Sequence, residues 1–153
     1  MAMRAQLGVT LMAAALMAAA SVGLTVPAQA GLGIVISKIY YDSPGSDTGS
    51  NSSLNGEYIT LKNLRTTNQV ITGWTVRDPA GHVYKFPTTT IKAGSTVTVR
   101  SGRGTNGVTT RYWQQSWYVW NNTGDTAALR TGSGAAVDTC TYKDAGAAVS
   151  TAC

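Results

Sequence analysis

From Ile34 onward the apolar residues recur at every second position in short runs, and glycine, asparagine, threonine and serine fill the intervals. A period of two, with no helical period anywhere beyond residue 33, predicts an all-β domain of sandwich or barrel type. The runs place strands at Ile34 to Tyr41, Glu57 to Asn63, Trp74 to Asp78, His82 to Phe86, Thr96 to Arg100, Trp117 to Trp120, Thr126 to Arg130 and Val137 to Tyr142. Between them stand Pro44-Gly45, Asn55-Gly56, Pro79-Ala80-Gly81, Ala93-Gly94, Asn106-Gly107 and Thr123-Gly124, residues that tolerate turn geometry. Alternation then assigns faces. Ile59, Leu61, Trp74, Val76, Val97, Val99, Ala127 and Leu129 point to a core, whereas Thr60, Lys62, Thr75, Arg77, Thr98, Arg100, Thr126 and Arg130 point to solvent. One wet face per strand is the pattern of two packed sheets; strands buried on both faces read as continuous apolar runs.

The first thirty residues follow a different rule. Arg4 precedes an alanine- and methionine-rich apolar stretch from Leu7 to Leu24, then Pro27 and Ala28-Gln29-Ala30. These are the basic region, apolar region and small-residue cleavage site of a secretory signal peptide. The competing reading, an uncleaved anchor, needs about 20 strongly apolar residues, and alanine is only weakly apolar. Residues 1–30 are therefore expected to be a signal peptide and residues 31–153 a single exported domain, secreted and without stable membrane insertion once the signal is removed. Cleavage takes Arg4 away and leaves 11 basic residues against 7 acids, a formal charge of +4. Such mild basicity permits an anionic partner without requiring one.

Export also changes the reading of the two cysteines, Cys140 and Cys153. In an oxidising compartment they are expected to pair, closing a short loop and tying the tail to the last strand.

Several runs together resemble the lamin tail domain, an Ig-like family, in its small secreted bacterial form. They are Gly56-Glu57-Tyr58-Ile59-Thr60-Leu61-Lys62-Asn63, Thr72-Gly73-Trp74-Thr75-Val76-Arg77-Asp78, Ile91-Lys92-Ala93-Gly94-Ser95-Thr96-Val97-Thr98-Val99 with Gly102, and Trp120-Asn121-Asn122-Thr123-Gly124-Asp125-Thr126-Ala127-Ala128-Leu129-Arg130. Their order extends from about Ile34 to Tyr142. The resemblance implies an Ig-type β-sandwich used for binding or tethering, with Trp74 and Trp120 as core aromatics.

Residues able to carry covalent chemistry are few. His82 is the single histidine, no Gly-x-Ser-x-Gly elbow is present, and no second histidine can complete a metal centre. No catalytic set, no cofactor and no metal site are expected. Asp42, Asp47, Asn51, Asn55 and Glu57 do cluster hard oxygen donors, as a calcium loop would, but without EF-hand spacing and in residue types from which turns are commonly built. Glu57 shares the inward parity of Ile59 and Leu61, so it is expected to cap backbone N–H groups at the rim of the sandwich.

The stretch from Arg111 to Trp120 holds five aromatic residues, among them three of the four tryptophans. Aromatic faces beside amides stack on sugars or, with a cation, on bases, and the same residues can serve a core. Tyr112 and Trp113, preceding the polar run Gln114-Gln115-Ser116, read as an exposed pair, with Arg111 and Trp117 as further contacts. Lys62, Arg77, Arg100 and Arg130, with Arg103 and Arg111 in a loop, suggest a surface for phosphate or an anionic wall polymer, but neighbouring antiparallel strands send their ends to opposite poles, so scattered solubilising charge is the preferred reading. The expected function is a secreted, non-enzymatic interaction module contacting a protein or cell-surface polymer; the alternative is a carbohydrate- or nucleic-acid-binding module that uses residues 111–120.

Overall fold

A computed structural model describes residues 33–143 and 146–153; the expected signal peptide lies outside the described residues. The strands, in chain order, are β1 (Ile34–Tyr40), β2 (Tyr58–Asn63), β3 (Gln69–Val70), β4 (Thr75–Arg77), β5 (Val83–Lys85), β6 (Thr90–Ile91), β7 (Thr96–Arg100), β8 (Thr110–Tyr112), β9 (Gly124–Arg130), β10 (Ala136–Lys143) and β11 (Ser150–Ala152), with one helical turn, α1 (Asn51–Leu54). A five-stranded sheet in the order β11-β1-β2-β7-β8 packs on a four-stranded sheet in the order β10-β9-β4-β5, and β3 pairs with β6 at one end. All pairings are antiparallel except β7 with the edge strand β8. This is the Ig-like β-sandwich that the alternating pattern and the resemblance predicted.

The inward parity set closes one core. Ile59, Leu61, Val76, Val97, Val99, Ala127 and Leu129 are buried and join Ile34, Ile36, Ile39, Ile71, Phe86 and Trp120. Each such aliphatic side chain removed from water contributes roughly 1.5–3 kcal/mol. A buried hydrogen bond and a disulfide complete the closure between the sheets. The buried Asp138 carboxylate on β10 accepts the Ile36 N–H of β1 at 2.7 Å, where β1 and β10 are both irregular in register. Close by, the Cys140–Cys153 disulfide joins β10 to the residue after β11, hence one sheet to the other, with Cα atoms 5.7 Å apart. The expected pairing is present, and its effect is larger than tying down a tail.

Several expectations fail for physical reasons. Trp117 to Trp120 is not a strand; it belongs to a loop laid across the end of the sandwich, where ladder alternation has no meaning. Trp74 is only half-buried at the edge of the core. Thr75 points outward as expected yet is 8% exposed. It lies between Lys85 and Arg130 in the paired strands, and long basic side chains cover short neighbours with their stems. The two-residue strands β3 and β6, the edge strands β8 and β11 and the turn α1 were not predicted, being too short to display a period.

Removing the deeply packed tryptophans tests this core. Trp120→Ala and Trp113→Ala are expected to cost about 3–5 kcal/mol each, and Trp74→Ala distinctly less, by urea unfolding. Cys153→Ser is expected to cost roughly 3 kcal/mol in the chain-entropy account of a loop this short.

Candidate functional site

The long β1–β2 connection and the segment 113–123 between β8 and β9 meet at one end of the sandwich, and α1 holds them there. Ser50 caps the turn, its Oγ accepting the Ser53 N–H at 3.2 Å, while Leu54 anchors it in the interior. From this turn Ser53 Oγ shares a 2.6 Å hydrogen bond with Tyr118 Oη, which also accepts the Gly49 N–H at 3.2 Å. Asn51 and Asn55 each donate from Nδ2 to the Arg103 carbonyl, at 3.0 and 2.9 Å, and the Arg103 N–H returns a bond to Asn51 Oδ1. Gln114, in the left-handed region at φ 65°, closes the opposite side by donating from Nε2 to the Gly104 carbonyl at 2.7 Å.

These ties present one aromatic surface. Trp117 is 65% exposed, yet its ring lies against Gly49, where an added Cβ would come within 2.6 Å of it. Its indole also meets the Tyr118 ring edge-on at 5.5 Å. Next to it a shallow cavity of about 160 Å³ is lined by Gly49, Asn51, Leu54, Arg103, Gln115 and Ser116. An exposed indole packed on Gly49 beside a cavity lined by Asn51, Arg103, Gln115 and Ser116 can stack on a flat apolar face while neighbouring polar groups hydrogen-bond to its rim.

The other expected contact residues do not join it. Trp113 is 6% exposed and packs on Trp120 and Tyr84 at ring separations of 5.8 and 5.6 Å, so the expected exposed pair of Tyr112 and Trp113 does not exist. The residue following a short edge strand has turned into the core. Tyr112 is half-buried with Gly104 against its ring, where a Cβ would come within 2.5 Å. Arg111, the inward residue of β8, is buried, and its Nε and Nη2 both donate to Thr89 Oγ1 at 3.3 Å. Of the four, Trp117 alone offers a broad exposed ring face.

Beneath the loops lies Glu57, fully buried. Its Oε1 accepts the Ser101 hydroxyl and the Val119 N–H, the latter at 2.9 Å, so it caps backbone as its parity predicted. Its Oε2 has no hydrogen-bond partner among the described residues. Burial raises its pKa from the ordinary 4.5 to about 7, against the opposing effect of the Ser101 and backbone hydrogen bonds. The five oxygen donors of the acidic loop do not converge. Asp42 and Asp47 both accept from Asn122 Nδ2, Asn51 and Asn55 turn to Arg103, and Glu57 is interior. Among the described residues no group of three or more His, Cys, Asp or Glu side chains is arranged to hold a metal ion. His82 Nδ1 lies 2.5 Å from the Asp78 carboxylate on its own hairpin. Sequence reasoning missed the solvent-facing row Tyr40, Tyr58, Arg100 and Tyr112 across β1, β2, β7 and β8, although outward parity would have found it. Tyr40 and Tyr58 stack at 5.2 Å, with Lys38 over one ring and Arg100 over the other, which commits their faces to the ladder.

A family model described as Lamin Tail Domain matches residues 27–144, well over half of the chain. No curated protein matches it in sequence.

Glu57 generates a pH prediction with a definite sign. A carboxyl whose folded pKa lies above its unfolded value favours the folded state most fully below the unfolded value, and that contribution is lost as pH rises towards the folded one. Stability relative to Glu57→Gln is therefore expected to fall between pH 4.5 and 7, by on the order of 3 kcal/mol. Urea unfolding of both proteins at pH 4.5 and 8 reads it; a difference that grows with pH contradicts the assignment.

Proposed function

Because the chain belongs to the lamin tail domain family, whose fold is Ig-like, we propose that it acts as an exported, non-catalytic binding module that docks a cell-surface glycan on Trp117. One observation carries the reading: Trp117 is 65% exposed and nevertheless held, by Gly49 beneath its ring and by the Tyr118 bonds to Ser53 and Gly49. Exposed indole has an unfavourable contact with water, and a rigid one loses little further entropy on binding, which is why such residues act as anchors. Ser116, Gln115 and Asn51 line the adjoining cavity, supplying hydroxyl and amide groups of the kind that hydrogen-bond sugar hydroxyls. Export is supported by the signal-like residues 1–30 and by the Cys140–Cys153 bond, which persists in oxidising compartments. Among the described residues no helix is long and apolar enough to cross a membrane.

Trp117→Ala is expected to weaken retention on insoluble cell-wall glycan by about ten-fold or more while leaving the unfolding midpoint nearly unchanged. Unchanged retention on a confirmed glycan overturns the site. Glycan-independent, Trp117-dependent capture of a secreted protein overturns the glycan assignment. The exported product is expected to begin at Gly31, which intact mass of the protein from culture medium reads directly; a species retaining Met1 in the membrane fraction contradicts it.

A further inference from the structure

The outer face of the four-stranded sheet, away from Trp117, carries a second feature that an interaction through the loops does not use. Thr75 faces outward on β4. Its cross-strand neighbours are Lys85 on β5 and Arg130 on β9, and Arg77 stands two residues along its own strand on the same face. Three cations thus surround one hydroxyl. Arg77 Nε donates to Thr75 Oγ1 at 3.3 Å and Arg130 Nη1 to the Gly134 carbonyl at 3.0 Å, which orients both guanidinium groups. Between them runs an open groove of about 350 Å³ lined by Arg77, Asp78, Thr126, Ala128, Arg130 and Gly134.

Among the described residues no exposed carboxylate stands on this face. The single acid of the lining, Asp78, has a fully buried side chain whose two oxygens accept the His82 N–H at 2.7 Å and face His82 Nδ1 at 2.5 Å. The remaining acids of the sheet, Asp125 and Asp138, are buried as well. Asp125 accepts from Asn121 and the Thr126 N–H, and Asp138 accepts the Ile36 N–H of the other sheet. Like charges on adjacent strands destabilise a sheet, and planar guanidinium forks match tetrahedral oxyanions in geometry. We propose that the groove bounded by Arg77 and Arg130 is a binding site for a phosphate group, with Lys85 contributing charge from the neighbouring strand and Thr126 a hydroxyl.

The purified protein, titrated with inorganic phosphate against chloride at matched ionic strength, reads the site by backbone amide shifts. Saturable shifts are expected at residues 75–77, 126–130 and 134. The R77Q/R130Q double variant is expected to bind at least about ten-fold more weakly, in line with loss of charge-assisted hydrogen bonds. K62Q, on the opposite sheet, is expected to bind as the unaltered protein does. The single variants R77Q and R130Q, each losing part of the affinity, serve if the double variant is unfolded. A short oligothymidylate displaces phosphate if the site takes phosphodiesters, and fails to if it takes only a terminal phosphate; either result requires dependence on Arg77 and Arg130. The proposal is overturned if phosphate produces no saturation beyond chloride, if the shifts map elsewhere, or if the arginine variants bind normally. Trp117→Ala leaves phosphate binding intact, so this site and the loop surface fail independently.

Discussion

The loop end of this sandwich hangs on one buried carboxyl group. Glu57 sits where α1 runs into β2, and its backbone N–H reaches the Leu54 carbonyl while its own carbonyl takes the Ser101 N–H. Its side chain gathers the Ser101 hydroxyl and the Val119 N–H. The helical turn, the end of β7 and the segment carrying Trp117, Tyr118 and Trp120 therefore meet at a single residue. Desolvating a carboxylate is costly, and the cost is limited here because the group can carry a proton near neutral pH. The same arrangement lets Trp120 close the core while Trp117, three residues earlier, remains in solvent.

Most of the sandwich was legible because a strand with one wet face writes its parity into the chain. The residues from Tyr58 to Lys62 and from Thr96 to Arg100 reproduce the expected alternation position by position. The loop end was not legible, since residues 113–120 form no ladder and their burial depends on what they lie against. Trp113 and Trp117 occupy similar polar-aromatic surroundings in sequence, yet one meets Tyr84 and Trp120 while the other meets the bare backbone of Gly49. Only the three-dimensional neighbour decides between them. Arg111 misled for a related reason: on a three-residue edge strand its inward parity was too brief to read, and a buried arginine satisfied by threonine and a carbonyl contradicts the ordinary preference of that side chain for water.

Charge is the property to which strand pairing adds most beyond the sequence. The basic residues looked scattered because successive strand ends were expected to separate them. Pairing instead sets Arg130 beside Thr75 and Arg77 beside Ala128, diagonal neighbours on one face. The acids are sorted in the opposite sense. None lies in β1, β2, β7, β8 or β11, and those of β9 and β10 are buried as backbone or amide acceptors. Among the described acids only Asp42 and Asp47 face the loop end, where Asn122 bridges them.

The outer faces of both sheets thus carry basic side chains and, among the described residues of their strands, no exposed carboxylate. Potential at a surface is set by the charges within about a Debye length, roughly 8 Å at physiological ionic strength, so the buried carboxylates offset part of this charge while offering the cations of the face no direct ion pair. The structural requirement for buried acceptors and the positive character of the exterior are consequently linked. Asp138 closes the two sheets by taking the Ile36 N–H, and Asp78 closes its hairpin by taking the His82 N–H. In doing so both are withdrawn from the faces where Lys85, Arg77 and Arg130 stand. Reversing that sorting, by moving Asp138 outward to neutralise an arginine, would leave the buried Ile36 N–H without its acceptor, a loss of about 1–3 kcal/mol that an exposed ion pair, worth under about 1 kcal/mol, does not offset. The fold therefore holds its outer faces basic as a consequence of how it is closed.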